Sequence, residues 1–324
     1  MFQPRTRPTI QPTLFAAQRI AAAPQLNLVL PAAHSLREAS IVAAASGALA
    51  VTAQCSLVFL LNRLVFNGKS KTARARWQTG YVAHHIVCVL FMVAASVIGI
   101  VGWLSPAGAT AAVRLGVTYT SAPVRFLSAA LLGMLLLWDL PCSVLISKLR
   151  NPVMFGHHVA MSLTTLIATL QLPMHYGFFF LGISELSTVP LCVNELASHA
   201  YDTIEEEAQK EPSRPTSGPH PALPAIATIR DSSQVLFAVL FLFVRGWMFT
   251  RVTLGPYLAD MLAVLSPATS TTATAVHAST AAAVSSKLVA LRMMLGLGLS
   301  FNALQAFWVL VIVRTALGMM KPPD

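Results

Sequence analysis

Long apolar stretches dominate the chain, each near the roughly 20 residues an α-helix needs to cross a bilayer. The first, about 40–63, is free of charge from Ala39 to Asn62. A second runs from Trp77 to Trp103, two aromatics well placed for the membrane interface. The third fits between Arg125 and Lys148, interrupted by Asp139 and Pro141, and a fourth covers about 153–172. Past Pro173, a fifth occupies about 174–197, a sixth about 233–254 and a seventh about 290–314. The pattern predicts an all-α membrane protein, a polytopic bundle of about seven transmembrane helices. Residues 255–265 are a candidate re-entrant or interfacial segment.

Two connectors depart from this pattern. Residues 200–230 hold Glu205, Glu206, Glu207 and Glu211, then a proline-rich run, and read as a solvated, partly extended loop. Residues 266–286 are almost entirely Ala, Ser, Thr and Val and read as a low-complexity loop. Neither carries the core of a separate domain. The chain therefore divides into an N-terminal tail (1–37), one transmembrane domain (38–316) and a short C-terminal tail (317–324).

Composition excludes a soluble enzyme: of 324 residues, 55% are hydrophobic and only 10% charged, against roughly 25% charged in soluble domains. The 22 Lys+Arg against 12 Asp+Glu leave a net charge of +10. The densest basic run, Lys69, Lys71, Arg74 and Arg76, lies between two apolar stretches, so the charge reads as topology and no nucleic-acid partner is expected. One side of the predicted bundle collects that run with Lys148, Arg150, Lys210, Arg214, Arg230 and Lys321. The other carries Arg5, Arg7, Arg19, Arg37, Arg114, Arg125 and Lys287. The positive-inside rule then puts the N-terminus outside or in a lumen and the C-terminus in the cytosol. The tail from Met1 to Arg37 has four arginines and no acid, which reads either as an organelle transit peptide or as a disordered tail. Cys55, Cys88, Cys142 and Cys192 all fall in apolar segments and read as small buried hydrophobes.

Ionisable groups inside a bilayer cost about 2.5–3.5 kcal/mol or more near a helix centre, so each needs a partner, a cavity or a function. Here they form a set: His84 and His85, Asp139, His157 and His158, Glu185, and Arg245, with Asn302 near the end. At about 1.5 Å per residue, His84/His85, Asp139 and His157/His158 lie at similar depth, roughly 8–14 Å in from the Lys148 side. Asp139 is placed to accept a hydrogen bond from His157 or His158, orienting the imidazole as a base. Glu185 and Arg245, both near the midplane, are placed to pair. Ser184, Ser187 and Thr188 share a stripe around Glu185, as cavity lining or as glue between helices. Three chemistries stay open for the set: acid–base catalysis, a proton relay of a transporter, and a metal site. No metal-ligand spacing supports the last, so no metal is expected.

The order of these motifs resembles the TLC-domain family, which includes the ceramide synthases. The resemblance rests on Trp77 and His84/His85, Trp138-Asp139-Leu140, Phe155-Gly156-His157-His158, the run Phe178 to Thr188 containing Glu185-Leu186-Ser187-Thr188, Arg245 and Asn302, over about 68–316. It implies a helical bundle around a lipid-accessible cavity and matches His157 and His158 to the family's histidine pair; Asp139 and Glu185 join them as catalytic candidates, and His84, His85, Ser184, Ser187, Thr188, Arg245 and Asn302 are expected to be lipid-cavity or structural residues. In the synthases the paired histidines take part in moving an acyl group from acyl-CoA to a sphingoid amine, so acyl-CoA enters as co-substrate and no cofactor is permanently bound. The Glu-Leu-Ser-Thr form is closer to the non-synthase branch, because the synthases' His-Asp-x-x-Asp pattern is missing.

Two functions are therefore expected. The first is a membrane protein binding acyl lipids, sphingoid bases among them, with acyl transfer or a role in lipid homeostasis. The second is a non-catalytic accessory subunit with membrane-protein partners. The resemblance implies the endoplasmic reticulum, and the Arg-rich tail a mitochondrial or plastid membrane.

Overall fold

A computed structural model describes residues 33–65, 78–107, 110–117, 121–210, 221–266 and 278–318. Seven helical runs in it are long and apolar enough to cross a membrane: Leu36–Leu64, Thr79–Trp103, Ala122–Leu145, Pro152–Leu170, Gly177–Gln209, Leu223–Leu265 and Ser285–Ala316, spans one to seven below. The architecture is all-helical, with the number of spans expected from hydropathy. The Lys69–Arg76 run, Trp77, the arginines of 1–32, Glu211, Arg214 and Lys321 lie outside the described residues.

Three boundaries differ from expectation. The first helix begins at Ala33, inside the expected tail. The 200–230 connector is helical at both ends, Thr188–Lys210 and Leu223–Leu240, because Glu, Ala, Gln and Lys are good helix formers whatever their polarity. The same reasoning covers 278–286, which belong to the helix Ala278–Ala316 instead of a low-complexity loop. Residues 255–265 are set off from the rest of span six by a kink at Gly255, where φ is −95° and ψ −108° and Pro256 follows, and beyond it lies the short helix Leu258–Leu265.

Small residues let the helices approach closely. A Cβ on Gly99 would stand 2.6 Å from Gly182 Cα, and one on Gly133 would fall on Ala43 O, so spans two and five, and one and three, meet backbone to backbone. Ser46 adds a hydrogen bond from Oγ to Ala130 O at 2.8 Å. One apolar cluster, with Val87, Leu131, Met134, Trp138 and Leu181, fills the middle of the bundle. A second, with Leu115, Leu172, Tyr176, Tyr257 and Met261, fills the end opposite the Lys148 turn. Cys55 is exposed on span one, contrary to the buried role expected, while Cys192 is buried with its Sγ 3.5 Å from that of Cys88.

A candidate lipid chamber inside the bundle

Span three brings Asp139 to the centre through a widened turn. Pro141 lacks an N–H and its ring crowds the carbonyl four residues back, and the helix opens into a π turn over Leu135–Asp139 before resuming. The carboxylate is 5% exposed and is met from two other spans. His158 Nδ1 of span four lies 2.5 Å from Oδ2, and His84 Nε2 of span two lies 3.5 Å from Oδ1. The His84 ring is held face-on against Trp138, centroids 4.6 Å apart. Of the two candidates for Asp139, the structure selects His158 and adds His84. His157, about 100° around the helix, turns away to meet the Phe301 ring edge-on at 5.6 Å. The Nδ1 atoms of His84 and His157 are buried without a protein partner.

Glu185 and Arg245 meet as their depths predicted. Arg245 Nη2 lies 3.2 Å from Glu185 Oε2, and Nε donates to Ser184 O at 3.0 Å. Thr188 joins them, donating to Glu185 Oε2 at 2.8 Å and accepting from Arg245 Nη2 at 2.9 Å. Ile183–Ser187 is a tighter 3₁₀ turn, and of the expected stripe Thr188 and Ser184 meet Glu185, Ser184 Oγ lying 3.5 Å from Oε1. Ser187 Oγ donates to Ser184 O and Ser184 Oγ to Phe180 O, so both satisfy local backbone.

These groups border a cavity of about 350 Å³, within the roughly 300–1,000 Å³ common for ligand sites. Its walls include His84, His85, Asp139, His157, His158, Glu185, Thr188 and Arg245, and it reaches the turn between spans three and four at Lys148 and Asn151. A narrower annex of about 50 Å³, mostly apolar, continues toward Leu172, Met174 and Tyr257. Chamber and annex share His157, Met161, Glu185 and Arg245 as the wall between them. Ser184 lines only the annex, while Ser187 and Asn302 border neither space.

Sequence reasoning missed the polar rim at the chamber mouth. Tyr81 donates to Glu195 Oε2 at 2.8 Å, Lys148 Nζ lies 4.4 Å above the Tyr81 ring, and it reaches His199 Nδ1 at 2.9 Å. His85 belongs to this rim, its Nδ1 3.0 Å from Tyr81 O, and does not reach Asp139. An acid inside span five was the available signal, since Glu195 needs a partner as much as Glu185 does. Among the described residues, no three His, Cys, Asp or Glu side chains are arranged to share a metal ion.

What the arrangement can do follows from its chemistry. A carboxylate between two imidazoles fixes their tautomers and supports a proton on either ring. The neighbouring ion pair keeps a guanidinium at the chamber wall with its charge offset by Glu185.

Compared with known proteins, the chain matches the family model of the TLC domain over residues 81–314. No curated protein and no solved structure matches it. The matched stretch is well over half of the chain and holds spans three to six, most of span seven and nearly all of span two, with every residue of the chamber described above. The protein is a multi-pass integral membrane protein of the TLC-domain family.

Proposed function

We propose that this protein binds an acyl lipid in the chamber, polar end beside Asp139, His84 and His158 and apolar chain toward the annex, and that the cluster serves acyl transfer. The observation that carries this reading is the convergence of three spans on one carboxylate at the wall of a void within the bilayer. A carboxylate needed only for packing would be enclosed by its partners. This one borders a cavity that shares His157, Met161, Glu185 and Arg245 with an apolar slot.

Acyl-CoA and a long-chain amine fit the chemistry as substrates. The amine nitrogen attacks the thioester carbonyl while a neutral imidazole of the cluster takes its proton. The C–N bond forms, the C–S bond breaks, and the departing thiolate receives that proton from the imidazolium. Asp139 holds the ring in place and offsets its charge while it carries the proton. Buried Nδ1 of His84, which has no protein partner, offers a further contact for the polar end.

The test is acyl transfer from long-chain acyl-CoA to sphingoid and simple long-chain amines by purified protein in nanodiscs. His158→Ala and Asp139→Asn are each expected to lower turnover by at least about 100-fold, the lower edge of general-base effects. Turnover equal to wild type in both variants removes the cluster from any mechanism. No turnover in wild type together with retained bound lipid leaves lipid binding, and a place in a larger assembly, as the function.

A further inference from the structure

The far end of the bundle, opposite the chamber mouth, carries a second polar knot that the proposed function does not use. Arg114 lies on the short helix Ala111–Arg114, in the connection between spans two and three. Its Nε donates to Asp260 Oδ2 at 2.6 Å and its Nη2 reaches Oδ1 at 2.5 Å, a two-pronged pair. Tyr176 donates to the same Oδ2 at 2.6 Å. The knot thus ties three segments: the connection after span two, the head of span five and the end of span six. Further bonds to the backbone tighten it, with His175 N donating to Arg114 O at 2.8 Å and Lys287 Nζ of span seven donating to Val117 O at 2.8 Å.

The position of the knot gives it a role. Tyr257, three residues before Asp260, lines the annex and donates to Met294 O at 2.8 Å. Its ring meets those of Tyr176 and Phe180, each at 5.3 Å. Leu172 and Met174 line the annex beside it, and behind this floor Leu115 and Met261 are fully enclosed. Of the ion pair, the Arg114 side chain, 28% exposed, is the part that reaches outward. We infer that the Arg114–Asp260–Tyr176 knot is a seal: it closes the annex to the aqueous compartment on its own side, so that polar groups enter and leave the site from the Lys148 side alone. This holds whatever the ligand is, and stands apart from acyl transfer. The seal has a simple logic. The three segments come from distant parts of the chain, and without a shared partner they would part and let water down to Tyr257.

The experiment is side-specific thiol labelling in sealed, oriented proteoliposomes. Ala168→Cys places a thiol on the annex wall, a charged membrane-impermeant methanethiosulfonate is added from one side, and mass spectrometry reads each cysteine separately. With the seal intact, the introduced thiol is expected to stay unlabelled from the Arg114 side. Adding Asp260→Asn or Arg114→Gln should raise its labelling from that side at least about tenfold, and Tyr176→Phe, which keeps the ion pair, by less. Native Cys192, on the chamber wall, reports that the fold survives by keeping its labelling rate from the Lys148 side. Rapid labelling of the introduced thiol from the Arg114 side with the seal intact overturns the inference. So does an unchanged rate in every variant that keeps the Cys192 rate. Should Asp260→Asn disturb the fold, Arg114→Gln and Tyr176→Phe decide the question alone.

Discussion

The two ends of the bundle hold acid-centred polar clusters of similar make and use them in opposite ways. On the Lys148 side Asp139 with His84 and His158, and deeper in the bundle Glu185 with Arg245, stand at the walls of a void. At the far end, Asp260 with Arg114 and Tyr176 caps a packed cluster in which Leu115 and Met261 are fully enclosed and Leu172 and Tyr257 border the narrow annex. A buried charge is costly in either place and needs partners in both. The difference lies in what surrounds the partners: space at one end, side chains at the other. Polar groups around space are poised to meet a ligand, and polar groups around a filled core hold it shut.

On that contrast, lesions at the far end strike stability and lesions at the near end strike function. The largest stability loss is expected from Leu115→Ala, which empties a fully enclosed site in the far-end cluster and should cost about 2–5 kcal/mol. Denaturation followed in detergent or nanodiscs reads it directly. Asp260→Ala comes next. Breaking a fully buried pair costs about 3–5 kcal/mol, but the Arg114 side chain is 28% exposed, so about 2–3 kcal/mol is expected here. Asp139→Asn is the matched lesion at the near end. Its imidazole partners can turn neutral and water can enter the void, so unfolding should shift by less than about 1 kcal/mol, the usual scale of a single hydrogen bond, while ligand binding is lost. Equal stability losses for Asp139→Asn and Asp260→Ala would erase the distinction.

Gly99→Ala probes the junction of the two halves. The added methyl meets the Gly182 backbone at 2.6 Å, so span two must move off span five, at an expected cost of about 1–3 kcal/mol. Because Glu185 follows Gly182 by three residues, the Glu185–Arg245 pair should loosen as well. The smallest effect concerns pH. Burial, and then the charge of Arg114, hold the His175 imidazole below its ordinary pKa of 6.5, so the folded state prefers it neutral. The unfolded chain takes up the proton first as pH falls, so this contribution is present above about pH 6.5 and is lost through the acid range below it. His175→Gln should flatten the fall of Tm between about pH 6.5 and 5, without altering Tm at pH 8 by a comparable amount.

Hydropathy was enough to number the spans, and residue rise was enough to match Asp139 with the fourth-span histidines and Glu185 with Arg245, because depth in a bilayer is a one-dimensional quantity that the chain itself records. Facing is not. Which of His157 and His158 turns to Asp139, and which of His84 and His85, depends on helix rotation and on the π turn before Pro141, and neither shows in a hydropathy profile. The far-end knot was hidden for another reason. Arg114, Arg125 and Lys287 look like loop charges that orient helices, yet Arg125 and Lys287 are 4% and 2% exposed. Asp260, an acid in the apolar run Leu258–Leu265, was the readable signal that something cationic had to come to it. The polar connectors misled because polarity says how a segment meets water, not whether it is helical, and the helix-forming Ala, Glu, Gln and Lys in them were the readable signal.

The central claim is that the void beside Asp139 is a lipid site, and photo-crosslinking addresses it most directly. A sphingoid base carrying a diazirine on its chain is incubated with the protein in nanodiscs, irradiated, and mapped by mass spectrometry. The chamber account predicts adducts on inward residues such as Met92, Met161 and His157, competed by unlabelled acyl lipid and lost in Asp139→Asn. Adducts confined to outward side chains such as Val97, Leu236 and Phe307, unchanged by competitor or by the substitution, would contradict it.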